Sequence, residues 1–250
     1  MTTSLTRSAM VVPCFNEAAR LDGEMLRALA ATAQCDIIAV DDGSSDSTAE
    51  MLEALAAADD RIRVIRQGRN QGKGEAVRAG LVAATAEGYD YVGFCDADFA
   101  TPVVELSRLL QICHHGQLVV IGSRVALLGH QIDRSLARHY TGRVFGTLSS
   151  LVLGFQIYDT QCGAKIFKAG PALQSAVATP FTSRWAFDVE LLGRLAHQHR
   201  GISGFLEVPL VRWHDVAGSK LSLTASLRST ADLLRIRRAL RSHRRLMPAG

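Results

Sequence analysis

The chain has 250 residues, 48% hydrophobic and 21% charged, enough to bury a large core; this excludes disorder, collagen-like repeats and low complexity as descriptions of the whole. Its five cysteines, Cys14, Cys35, Cys95, Cys113 and Cys162, are odd in number and contain no Cys-x-x-Cys pair, so they read as small apolar residues of a reducing compartment, not as a disulfide framework or zinc site. The net charge of +4 sits in the tail, where residues 221–250 hold seven arginines and one aspartate, a balance that favours an anionic partner.

Along the chain, residues 9–13 read as a strand and 17–33 as a helix. Residues 36–40 form a second strand, 46–58 a helix, 62–66 a third strand and 74–85 a helix. A fourth strand at 91–95, a helix at 103–114 and a fifth strand at 118–121 complete the series. Strands alternating with helices of this length predict an α/β fold, a mostly parallel sheet with helices on both faces. Ligands of such sheets bind beyond the carboxyl ends of the strands. Polar residues cluster there: Asn16-Glu17, Asp41 to Asp46, Asp96-Ala97-Asp98 and Gly122-Ser123-Arg124.

After Arg124 the alternation stops. Residues 135–154 carry apolar residues at helical spacing, 165–167 read as an edge strand, 185–199 as a helix and 205–213 as a strand. Residues 222–245 set Leu223, Leu227, Leu233, Leu234, Ile236 and Leu240 against arginines, a basic amphipathic helix. We therefore expect one domain over 8–220 and a basic helical tail over 221–250. Residues 1–10 lack the apolar run of a secretory signal. The longest uncharged stretch, 144–158, is 15 residues with Gly, Thr, Ser and Gln, short of the roughly 20 apolar residues of a membrane span. It suits lying on a bilayer rather than crossing one.

Two motifs carry chemistry. Asp96-Ala97-Asp98 ends a strand, where two carboxylates can turn toward one hard divalent cation such as Mg²⁺; a solvated loop pair or helix cap is the plain alternative. Gly68 to Gly74 is glycine-rich and precedes a helix, a context for phosphate binding, yet it has neither the Walker pattern nor the Rossmann one.

Taken in order, Val12-Pro13-Cys14-Phe15-Asn16-Glu17, Val40-Asp41-Asp42-Gly43-Ser44-Ser45-Asp46, Asn70-Gln71-Gly72-Lys73-Gly74, Asp96-Ala97-Asp98 and Gly122-Ser123-Arg124 resemble family 2 glycosyltransferases of the GT-A fold, a Rossmann-like architecture. Asp159 to Lys165, Arg184 to Glu190 and Gly218-Ser219-Lys220 resemble its dolichyl-phosphate β-glucosyltransferase branch. The resemblance runs from about residue 10 to 220. It implies an inverting transfer of a hexose, glucose from UDP-glucose, onto a polyprenyl phosphate, with Mg²⁺ or Mn²⁺ as cofactor.

Carried over residue by residue, it implies that Pro13, Phe15 and Glu17 frame the nucleotide, Val40 and Asp42 hold the uracil and ribose side, and Lys73 lies near the base or phosphates. Asp96, Ala97 and Asp98 bracket the metal and sugar diphosphate. Arg124 meets a donor or acceptor phosphate, and Lys220 the phosphate region from the far side. Asp188 and Glu190 are general-base candidates should the acceptor be a hydroxyl; an ionised phosphate needs no base. Ala100 stands where mannosyl relatives carry Gln, which favours UDP-glucose over GDP-mannose. The location implied is the cytoplasmic face of a membrane, held peripherally through the basic tail. Two alternatives stay open: a soluble hydroxyl acceptor, and a silent nucleotide-binding or scaffold protein. Nucleic acid is not an expected partner, because no aromatic lies within residues 221–250 to stack on bases.

Overall fold

The apolar runs of the N-terminal half form strands because each is short, rich in β-branched residues and bounded by polar turns. β1 (Ser8–Cys14), β2 (Asp36–Asp41), β3 (Ile62–Arg66) and β4 (Tyr91–Cys95) alternate with α1 (Gly23–Ala33), α2 (Thr48–Ala58), α3 (Lys73–Ala86) and α4 (Val103–His114). β5 (Val119–Ser123), β6 (Gln131–Asp133) and α5 (Leu136–Leu153) follow. Then come β7 (Ala164–Lys168), α6 (Pro171–Val177), α7 (Phe187–Gln198), β8 (Phe205–Pro209) and β9 (Arg212–His214). Residues 232–242 form a further helix, α8. The computed structural model describes residues 6–216 and 232–242.

Seven strands make one sheet in the order β3-β2-β1-β4-β7-β5-β8, while β6 and β9 pair separately. All pairs are parallel except those of β7, which runs antiparallel to β4 and β5. Successive residues of β1 face opposite sides, so Met10 and Val12 join a core with α1 and α4, whereas Ala9 and Val11 join a core with α3, α6 and α7. Both faces are covered, which is why the strand reads as a continuous apolar run.

Three local differences from the sequence reading have physical reasons. The helix expected from residue 17 begins at Gly23, because the Asp22 carboxylate caps it by accepting from Glu24 N at 2.9 Å. Residues 17–22 instead turn, with Arg20 N and Leu21 N donating to Glu17 O, which keeps Asn16 and Glu17 at the sheet edge. The strand expected over 205–213 divides after Pro209. The strand at 165–167, expected at an edge, is interior: Lys165 is fully buried and its ammonium is paired with Asp188 at 2.6 Å, so its charge does not require solvent.

A third apolar cluster joins Ala186 and Val189 of α7 to Leu233, Ile236 and Leu240 of α8, with Phe145, Leu148 and Val152 of α5 against it. The rest of the tail, Lys220 included, lies outside the described residues. No helix among the described residues is long and apolar enough to cross a membrane.

Candidate active site

The carboxyl ends of β1, β2, β4 and β5 meet the N-termini of α3 and α7 along one edge of the sheet. The loops after β1 and β2 are stitched together: Asn16 N donates to Ser44 Oγ at 3.0 Å, Ser45 N to Asn16 Oδ1 at 2.8 Å and Glu17 N to Thr48 Oγ1 at 2.8 Å. Pro13 pairs in register with Val40, so the expected nucleotide residues of these strands are neighbours. Val40 turns its side chain into the core, away from the edge. Phe15 lies half-buried in the same loop, and the Glu17 carboxylate is ion-paired with Arg20 at 2.6 Å.

Asp42 is buried and accepts from Gln71 N at 2.7 Å and Gly72 N at 2.8 Å. Burial raises its pKa, while these two bonds and the charge of Arg184 oppose the rise. Arg184 holds the same loop from the other side, donating through Nε to Gln71 O at 2.9 Å and through Nη2 to Asn70 O at 3.1 Å. Only glycine fits at Gly72, whose φ is +98° and whose Cβ would come within 2.5 Å of Arg184 Nε. The loop between these two clamps delivers Lys73 to the end of β4, where its ammonium is ion-paired with Asp96 Oδ1. Burial disfavours the Lys73 charge, but Asp96, then Asp188 and Asp98, raise its pKa above the ordinary value.

Asp96 and Asp98 share a tight turn. Phe99 N bonds Asp96 O at 3.2 Å, Ala100 N bonds Asp98 Oδ1 at 3.1 Å, and Phe99 adopts φ +49°, a conformation that a bulky side chain rarely takes. Burial, then the charge of Asp96, raises the Asp98 pKa. Asp96 Oδ1 is buried and, beside the Lys73 ammonium, completes no well-directed hydrogen bond. Two carboxylates on one turn, whose like charges repel, suit a divalent cation. Gly163 leaves the room: a Cβ there would lie 2.0 Å from Asp96 Oδ2. Ala97 is buried between them. Among the described residues no third His, Cys, Asp or Glu joins the pair, so the remaining positions suit water and phosphate oxygens.

On the β5 side, Arg124 is locked to Asp159: Nε to Oδ2 at 2.6 Å, Nη2 to Oδ1 at 2.8 Å, and the backbone N to Oδ2 at 3.1 Å. Burial opposes the Asp159 charge, yet Arg124 holds this carboxyl well below the usual range. Trp213, buried in the core, lies under the Arg124 guanidinium at 5.3 Å. Arg134 stands beside this pair and makes no ion pair among the described residues. Burial and the like charge of Arg124 lower its pKa. Asp188 is not an open base: its carboxylate is buried, accepts from Lys165 Nζ at 2.6 Å and lies 3.4 Å from Gln161 Nε2. Glu190 accepts from Arg194 and Thr182, a wholly internal arrangement.

The structure thus gathers Asp42, Lys73, Asp96, Asp98 and Arg124 at one edge, with Asp188 behind them. Sequence reasoning gave no role to Arg134, Asp159, Gly163 or Arg184. Three of these stood in the motifs that resemble the glucosyl branch; Arg134 had no signal beyond its charge.

Comparison with known proteins agrees with this geometry. The family model described as glycosyl transferase family 2 matches residues 9–172. A dolichyl-phosphate beta-glucosyltransferase of Mus musculus is 34% identical over 92% of this chain and 74% of its own length. One from Trichomonas vaginalis is 30% identical over 92% of this chain and 70% of its own. The crystal structure of glucosyl-3-phosphoglycerate synthase from Mycobacterium tuberculosis, in complex with Mn²⁺, UDP and glucosyl-3-phosphoglycerate, superposes with TM-score 0.67 at 20% identity, covering 98% of this chain and 82% of that one. A mannosyltransferase from Pyrobaculum calidifontis with GDP-mannose and Mn²⁺ gives 0.60 at 16% identity, covering 99% and 67%. The chain belongs to glycosyl transferase family 2 and is a nucleotide-sugar glycosyltransferase of the GT-A fold.

Proposed function

We propose that this enzyme moves glucose from UDP-glucose, with inversion, onto the phosphate of a polyprenyl lipid of the dolichyl type at the cytoplasmic surface of a membrane. The observation that carries the reading is the division of charge at the sheet edge. The Asp96–Asp98 pair faces Lys73 on one side, and the Arg124–Arg134 cations stand on the other. The names of the relatives point the same way.

Asp96 and Asp98 would hold a divalent cation, Mg²⁺ or Mn²⁺, which neutralises charge on a diphosphate leaving group when bound. Lys73, carried on the loop clamped by Asp42 and Arg184, supplies a further positive charge to that side. Residues of the β1 and β2 loops, Pro13, Phe15, Glu17 and Asp42, border the space for the nucleoside. Arg124, held rigid by Asp159, and Arg134 make the region where an acceptor phosphate is attracted and oriented. Lys220 remains an assignment by resemblance.

An ionised phosphate oxygen attacks the anomeric carbon, the bond from that carbon to the UDP oxygen breaks, and its electron pair leaves with UDP. No proton has to be removed from the acceptor. The engagement of Asp188 with Lys165 is consistent with a reaction that needs no base. The test is transfer by purified protein with Mg²⁺ or Mn²⁺, labelled UDP- and GDP-sugars and a short polyprenyl phosphate. The expected result is label in the organic phase from UDP-glucose. Label appearing only on a water-soluble acceptor, or UDP binding without turnover, overturns the lipid acceptor.

A further inference from the structure

α5 has two apolar faces. Phe145, Leu148 and Val152 pack inward against the cluster of α7 and α8. Leu136, Tyr140, Val144 and Leu151 are 62–75% exposed. At 100° per residue these four fall within an arc of about 80°, centred about 110° from the inward-packed residues, and the stripe runs about 22 Å along the helix. Just before α5, Leu128 is 104% exposed. Nothing among the described residues covers this stripe.

We infer that the outer face of α5 is the surface that lies on an anionic lipid bilayer, an inference that rests on the lipid-acceptor reading above. Three observations select a bilayer as the occupant. First, the charge near the stripe is positive on balance: residues 127–158 contain Arg134, Arg138 and Arg143 against Asp133, and the ion pair of Arg138 with Asp215 still leaves one positive charge in excess. Arg143 borders the stripe, with its guanidinium 3.6 Å from the Tyr158 ring centroid. A second copy of this chain would bring like charges together, whereas anionic headgroups complement them. Second, the leucine face of α8 is not available, because Leu233, Ile236 and Leu240 are buried against α5 and α7. Within 232–242, α8 therefore turns this apolar face inward and its arginines to solvent. Third, the same helix bounds the proposed phosphate region with another of its faces. A Cβ at Gly142 of α5 would lie 2.4 Å from Arg134 Nη2, so the guanidinium that stands beside Arg124 rests against this helix. α5 therefore carries the exposed stripe on one face and walls the Arg134 side of the site with its Gly142 face.

Co-sedimentation tests this with phosphatidylcholine vesicles, with and without phosphatidylglycerol. Three full-length proteins are compared: the parent, V144E/L151E on the stripe, and R237E/R238E on the exposed side of α8. We expect the parent to bind the anionic vesicles, the stripe variant to bind about tenfold less, and the α8 variant to change by less than threefold. Transfer to a short polyprenyl phosphate in detergent should be equal in parent and stripe variant, whereas transfer to a long one in vesicles should fall with binding. Undiminished vesicle binding by V144E/L151E overturns the inference, as does a parent dimer that the same substitutions dissociate without affecting vesicle binding. Stripe-dependent vesicle binding with no lipid transfer in either medium leaves this surface standing and overturns the proposed acceptor.

Discussion

At the residue scale, Asp98 is a carboxylate held where its charge is disfavoured. Its carboxyl is raised by burial and by Asp96, so without a metal its ionised form costs stability. That cost is fully present above the raised folded-state pKa. It fades as pH falls through that value and is absent below the unfolded value of about 3.9. D98N removes the cost, so in chelator it should melt at or above the parent temperature at pH 7, with the difference closing near pH 4. The same substitution removes a proposed metal ligand. Mn²⁺ at a hundred times its Kd should stabilise the parent by about 2.7 kcal/mol and D98N far less, while transfer falls on the order of 100-fold. Thermal melts with and without Mn²⁺, beside a transfer assay, read both effects; a D98N enzyme as active as the parent would remove Asp98 from the site. Asp188 calls for a different test, because its partner Lys165 is fully buried. D188N strands an ammonium in the core and should lose about 3–5 kcal/mol, whereas K165M/D188N should recover most of it. A stable but wholly inactive double variant would return Asp188 to a catalytic role.

At the scale of elements, the loop at 70–72 shows what the sequence revealed and what it withheld. The first five strands and four helices were legible because apolar period and polar turns agree over residues 9–121. The carboxyl-edge cluster followed from parallel topology alone. The interior place of β7 was not legible, since a lysine signals an edge until its buried partner 23 residues later is known. Arg124 shows a related limit: no local pattern tells that Asp159, 35 residues later, holds its guanidinium in place. The Arg184 clamp joins residues 113 and 114 positions apart, beyond any local pattern. Because Arg184 bonds the loop that carries Lys73, R184A should raise KM for the nucleotide sugar about tenfold with a smaller change in kcat, the scale of one lost charge-assisted bond. R184K should recover part of the loss. Steady-state kinetics with varied donor checks this, and an unchanged KM for R184A would remove Arg184 from donor positioning.

For the whole molecule, the position of α8 changes the meaning of the basic tail. Read as sequence, its leucines face a lipid; folded, Leu233, Ile236 and Leu240 complete a core with α5 and α7. Asp232 also accepts from Ser183 Oγ at 2.6 Å, and Ser183 in turn accepts from Ala186 N at 2.9 Å at the entry to α7. The tail thus supports the turn next to Arg184 as well as the outer helix that carries the exposed stripe. Removing it is a folding lesion before it is a membrane lesion. I236A should cost about 2–5 kcal/mol, as expected for a fully buried aliphatic side chain. V144E, on the solvent side of α5, should stay within about 0.5 kcal/mol of the parent. Urea unfolding of the two variants separates the faces of α5 without any lipid present. An I236A midpoint equal to that of the parent would mean that α8 is not held against α5 and α7 in solution, and its apolar face would then be free for the bilayer.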